Sequence, residues 1–268
     1  MFDPDLHQTT GFNDLFVQPA QHVIVMASNG DWHGELPLLW NLCSAWSDMG
    51  YTLTVLDATT TESDNNPGLQ QLMDNMQLPA AGEFDHANWA IIPAALGLTQ
   101  LSEHSPSKKT ATTLKTLGHL FENYEIIVIY ASAQNLANCL ADTGIEPLLP
   151  LSINTLSIVP TYQALKHLML KGRLHATTVT VVDTSNAEDF LSAQRVNQRL
   201  QDCAFNFLGQ EISTLTAPSQ FLDARAAQDV KTLALRLLER SVSVRQDSIT
   251  QPKTHPRPLN TFSNARHY

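Results

Sequence analysis

The chain has 268 residues, 43% of them hydrophobic, which is enough for one large domain with a sizeable buried core. Lys plus Arg total 16 against 26 Asp plus Glu, a formal net charge of -10. Phosphate-backbone binding needs a basic surface, so no nucleic acid is expected among the partners.

The three cysteines, Cys43, Cys139 and Cys203, are far apart and form no CxxC pair. That argues against a disulfide framework and a thiolate zinc site, and no metal or cofactor is expected. Residues 1–20 form an acidic leader without the apolar core of a secretory signal. No apolar run approaches the roughly 20 residues needed to span a bilayer. These features predict a soluble cytoplasmic protein.

In chain order, His22–Ala27 reads as a buried strand and Glu35–Met49 as a helix ended by Gly50. Strands follow at Tyr51–Leu56, Trp89–Ile92, Glu125–Tyr130, Leu148–Ile153 and Thr177–Val182. Helical patterns cover Thr110–Glu122, Ser157–Leu170, Asp189–Phe205 and Asp229–Arg240. Continuous β-branched strands separated by helices predict an α/β fold: a doubly wound, mostly parallel sheet with helices on both faces. Ser241–Tyr268 is proline-rich, poor in apolar residues and mildly basic, and predicts a flexible tail after a domain over 21–240.

A strand, a loop and a helix at the start of such a sheet are the usual setting of a phosphate-binding loop, where backbone N–H groups and a Lys hold the phosphates. Here that segment is Ala27–Leu42, ASNGDWHGELPLLWNL. It resembles the deviant Walker A loop of the MinD/ParA family of P-loop ATPases, K-G-G-x-G-K-T-T followed by a helix carrying N-L. Registering on Asn41 and Leu42 places Gly34 on the last loop glycine. Glu35 then stands where the phosphate Lys belongs, Leu36 replaces the Mg-binding Thr, Gly30 the signature Lys, and Asp31 and Trp32 the two glycines.

The resemblance covers roughly 21–240. Val55–Ala58 is similar to the family's strand ending in D-A-D, with Thr59 for the second Asp. Asn66–Leu69 with Leu72 resembles N-x-G-L-x-x-L, and Ile91–Ala94 with Gly97 and Leu101 the I-I-P-A strand and turn. Tyr124–Ala131 looks like Y-D-x-I-I-I-D-x, but Tyr130 occupies the switch Asp. Tyr162 and Lys166 match the D-A-Y-x-x-I-K helix, and Val181–Asp183 resembles V-V-N with Asp183 for the base-reading Asn. Phe207–Gly209 with Ala217 and Pro218 is similar to a segment of the FlhG-like branch, the flagellar-number regulators.

Family ATP hydrolysis needs a cation, a Mg ligand and a switch Asp. Lys, Thr and Asp are all replaced here, which predicts a degenerate pocket without catalytic residues, a pseudo-ATPase. A Glu35 carboxylate set against triphosphate would cost about 4 kcal/mol at 4 Å in an intermediate dielectric.

His33–Glu35 fits H-x-E, but the P-C-x-x-C that would complete a zinc-deaminase site is absent. Asp57 and Asp183 sit at predicted strand C-terminal ends, where α/β sites are built, or simply close those turns. Trp32, Trp40 and Trp46 on or beside the first helix are expected to pack in the core or cover the emptied pocket, with partner anchoring as the alternative. Leu233, Leu235, Leu237 and Leu238 give the last helix an apolar stripe, expected to pack on the sheet rather than on membrane. In the leader, Phe12, Leu15 and Phe16 are partner-binding candidates, with folding back onto the domain as the alternative.

The resemblance implies a non-catalytic scaffold or regulator of a bacterial cell-envelope assembly: flagellum, pilus, secretion or exopolysaccharide machinery. It implies protein partners, a homo- or heterodimer and weak contact with the inner-membrane surface. A residual nucleotide-binding switch is the alternative.

Overall fold

A computed structural model describes residues 20–74, 89–103, 109–220 and 224–244. The candidates Phe12, Leu15 and Phe16, and residues 245–268, lie outside the described residues.

The strands are β1 (Gln21–Ser28), β2 (Leu53–Asp57), β3 (Trp89–Pro93), β4 (Ile126–Ser132), β5 (Leu148–Ser152), β6 (Thr177–Val182), β7 (Ser213–Pro218) and β8 (Val242–Val244). Between them lie α1 (Trp32–Asp48), α2 (Leu69–Met73), α3 (Ala95–Glu103), α4 (Lys109–Leu120), α5 (Ala133–Cys139), α6 (Ile158–His167), α7 (Ala187–Leu208) and α8 (Ala224–Arg240). The sheet order is β3-β2-β4-β1-β5-β6-β7, all parallel, with β8 antiparallel to β1.

Side-chain alternation sorts the two faces. Ile24 and Met26 of β1 join Val55, Val128 and Tyr130 in a core under α1 and α8, with Leu38, Leu42, Trp46, Val230 and Leu238. Val23, Val25 and Ala27 join the opposite core under α3 to α7, with Leu98, Leu117, Leu136, Leu165 and Leu200. Both faces are covered, which is why the central strands read as unbroken apolar runs. α8 packs on the sheet through Ala226, Val230, Ala234 and Leu238, buried at four-residue spacing; of the expected stripe only Leu238 is buried, Leu233 and Leu237 are half-buried, and Leu235 is exposed on another side of the helix.

Two features depart from the sequence pattern. Ser241–Val244, assigned by composition to the tail, belongs to the sheet. Val242 and Val244 pair with Val23 and Gln21, and Ser241 Oγ lies 2.7 Å from His22 Nδ1. β1 meets β5 at one register position only, Met26 with Leu148, and β8 takes the edge of β1 below it. A three-residue strand of this kind owes its existence to that distant edge, so local composition carries no trace of it. Second, α1 begins at Trp32 rather than Glu35, and Pro37 falls in its second turn. The Pro leaves the His33 carbonyl without its intrahelical donor, so the first turn rests on tertiary contacts.

Burial pushes the Cys43 thiol up to about 12 and the Cys139 thiol to about 11, which leaves both as packing groups.

Candidate functional site

The loop between β1 and α1 lies at the C-terminal ends of the parallel strands. Gly30 has φ +87°, a left-handed conformation suited to glycine, and turns the chain so that successive N–H groups point inward. Helix α1 then starts at Trp32, its positive dipole end directed at the same spot.

That spot holds the carboxylate of Glu35, which is 1% exposed. Oε1 accepts from Asn29 N at 2.7 Å and Asp31 N at 3.0 Å. Oε2 accepts from Ser28 Oγ at 2.9 Å and from the Tyr130 hydroxyl in a short hydrogen bond. Each oxygen thus has two donors, and two of the four are backbone amides of the loop. A buried carboxylate is tolerated where hydrogen bonds and a helix N-terminus replace water.

Tyr130 reaches the carboxylate because β4 runs beside β1, with Tyr130 in register with Met26 and facing α1. Burial pushes its phenol above the ordinary tyrosine range, and the hydrogen bond to Glu35 adds to the shift. The phenol therefore stays a donor to Glu35. The two residues that the family pattern marks as separate departures are bonding partners.

The loop is also tied to the neighbouring strand and helix. Asn29 Nδ2 donates to Pro150 O at 3.0 Å and to Thr161 Oγ1 at 2.8 Å. Asp31, 8% exposed, accepts from Ser152 N at 2.6 Å. A Cβ on Gly34 would lie 2.6 Å from the Leu151 carbonyl carbon and 2.8 Å from Ser152 N, so α1 rests directly on the β5 backbone. Gly34→Ala is expected to cost about 2–3 kcal/mol by forcing helix and strand apart, measured by urea unfolding. Wild-type stability in this variant would show that the gap opens freely.

Gly30, Asp31, Gly34, Glu35 and Tyr130 are thus brought together. Leu36 and Trp32 are turned outward, 49% and 64% exposed, and Trp32 stacks on His33. Trp40 is 53% exposed and meets Trp89 edge-on. Only Trp46 packs in the core, its indole N–H donating to Ala234 O at 3.1 Å. Trp32 and Trp40 therefore neither fill the core nor seal the loop; the carboxylate does.

Asp57 and Asp183 stand apart. Asp57 lies on β2 and Asp183 follows β6, four strand spacings or about 19 Å across the sheet. Asp57 accepts from Thr59 N and Oγ1 and from Thr60 Oγ1. Asp183 accepts from Ser185 N and Oγ, and these bonds hold its carboxyl below its usual range. Each closes the turn after its own strand. Ser28, Asn29, Ser152 and Thr161 have roles here that the motif comparison does not reveal. The available signal was a hydroxyl and an amide, Ser28 and Asn29, just before a glycine turn and seven and six residues before a glutamate.

No protein-family model matches the chain, and no curated protein sequence matches it. Solved structures do. A MinC:MinD cell division complex from Aquifex aeolicus superposes with a TM-score of 0.53 at 12% identity, over 84% of this chain and 99% of that one. Cobyrinic acid a,c-diamide synthase from Mycobacterium smegmatis, with bound ADP and magnesium, gives 0.54 at 14%, over 84% and 99%. The septum site-determining protein MinD from Pyrococcus horikoshii, complexed with Mg-ADP, gives 0.51 at 17%, over 81% and 96%. The chain therefore has the doubly wound fold of the MinD-type P-loop ATPases.

Proposed function

We propose that this chain is a non-catalytic MinD/ParA-type scaffold or regulator, working by protein–protein binding in a bacterial cell-envelope assembly. The observation that carries the reading is Glu35 in the phosphate loop. Its carboxylate takes the N–H groups of Asn29 and Asp31, the donors a phosphate would use. A nucleotide triphosphate does not fit beside it: the charges repel, the amides are engaged, and the positions of the phosphate Lys and Mg-binding Thr hold Glu35 and Leu36. The loop is permanently filled by an internal anion, so partner binding does not await nucleotide. The ordered resemblance to the flagellar-number branch favours a flagellar, pilus, secretion or exopolysaccharide machine, and a dimer or a surface contact with the inner membrane. Among the described residues no helix is long and apolar enough to cross a membrane.

Calorimetry with Mg-ATP and Mg-ADP tests the reading. No binding heat is expected up to about 1 mM nucleotide, and capture of envelope-assembly partners is expected to be unchanged by Mg-ATP. Micromolar affinity would replace the scaffold with a residual nucleotide switch.

A further inference from the structure

We propose that a second site, on the opposite pole of the sheet from Glu35, binds a small carboxylic acid with a short branched apolar chain. The site arises where β1 changes neighbours. Above Met26, β1 runs beside β5; below Ile24 it pairs with β8. The two partners do not meet, and the gap between them is a cavity of about 110 Å³. Its walls include Val25, Ile145, Leu215, Leu233 and Leu237. An apolar cavity of about 150 Å³ takes benzene, so this one suits a body of about four or five carbons.

The rim carries charge. Arg236 and Arg240 of α8 line the cavity and are exposed, and half-buried Glu146 lines it beside them. Glu146 is committed twice: Oε1 accepts from Thr177 Oγ1 in a short hydrogen bond, and Oε2 lies 3.6 Å from Arg240 Nη1. Arg236 carries no ion pair among the described residues. Two guanidinium groups against one carboxylate leave one positive charge, on the group without a partner. An apolar cavity under an unpaired guanidinium matches a branched chain ending in a carboxylate, with the planar fork of Arg236 on its two oxygens. The site is independent of the phosphate loop and of the scaffold reading.

The test is a titration of the full chain with 4-methylpentanoate, followed by calorimetry and by methyl NMR of Leu233 and Leu237. Two controls separate the contributions: 4-methylpentanamide lacks the charge, and acetate lacks the apolar body. Saturable binding is expected for the acid at millimolar concentration, with the amide at least about tenfold weaker for the lost charge-assisted pair and acetate at least about tenfold weaker for the apolar burial it forgoes. Arg236→Gln is expected to reduce acid binding to the amide's level with the melting temperature kept. Leu233→Phe, which fills the cavity from a half-buried position, is expected to abolish binding. Equal affinity for acid and amide, unchanged binding in Leu233→Phe, or no saturable binding by the folded wild type would overturn the proposal.

Discussion

Glu35→Ala is expected to destabilise the domain by about 3–5 kcal/mol, or roughly 6–20 °C in melting temperature for a domain of this size. The variant strands Asn29 N and the buried Tyr130 hydroxyl, each costing about 1–3 kcal/mol, and removes the first-turn anchor of α1. Glu35→Gln keeps an acceptor for the two amides and presents its NH₂ to two hydroxyls able to accept, so its cost is expected to be about 1–2 kcal/mol. Combined with Tyr130→Phe, it should lose less than the sum of the two singles, because the same bond is removed twice. In the alanine variant the vacated amides are expected to take inorganic phosphate, seen as a rise in melting temperature with added phosphate that the wild type does not show. A loss below about 1 kcal/mol in Glu35→Ala would mean that water replaces the carboxylate at no cost, and the account of the loop would fail with it.

Truncation after Arg240 is expected to be less stable than truncation after Val244 by about 3 kcal/mol. The difference is β8 together with Ser241, whose hydroxyl bonds with His22 and Leu238. Val242 and Val244 are half-buried and pack on the core under α4, where a Cβ on Gly118 would lie 2.6 Å from Val244 Cγ1. Two half-buried valines contribute about 1 kcal/mol each, and the ladder to Gln21–Val23 supplies the remainder. Equal urea midpoints for the two truncations would show that β8 lies on the sheet without supporting it.

What the amino-acid pattern made legible, and what it hid, follows from the range of the forces involved. β6 was readable to the residue because six successive β-branched side chains, Thr177–Val182, are all buried. β7, Ser213–Pro218, was not, since it is an edge strand with Ser and Thr on a partly exposed face and no apolar run. α2 and α5, at 5 and 7 residues, are too short for a 3.6-residue period to appear. At the loop, the motif comparison singled out Glu35 and Tyr130 and read each as a loss. Their bond spans 95 residues and depends on β4 lying beside β1, a fact of topology that no local pattern carries. Asp57 and Asp183 were ambiguous between a site and a turn, and their bonds to the hydroxyls two residues downstream, Thr59 and Ser185, depend on turn geometry that the local pattern does not carry.

The pairing of Gln21 with Val244 also brings the two ends of the described sheet together. The two Cα atoms face each other across an antiparallel pair, about 5 Å apart, so Gln21 and Val244 stand side by side at one pole of the sheet. That point is about 23 Å along β1 from the Glu35 loop. A bulky group fused directly to Val244 would therefore crowd Gln21 while leaving the loop pole of the domain clear.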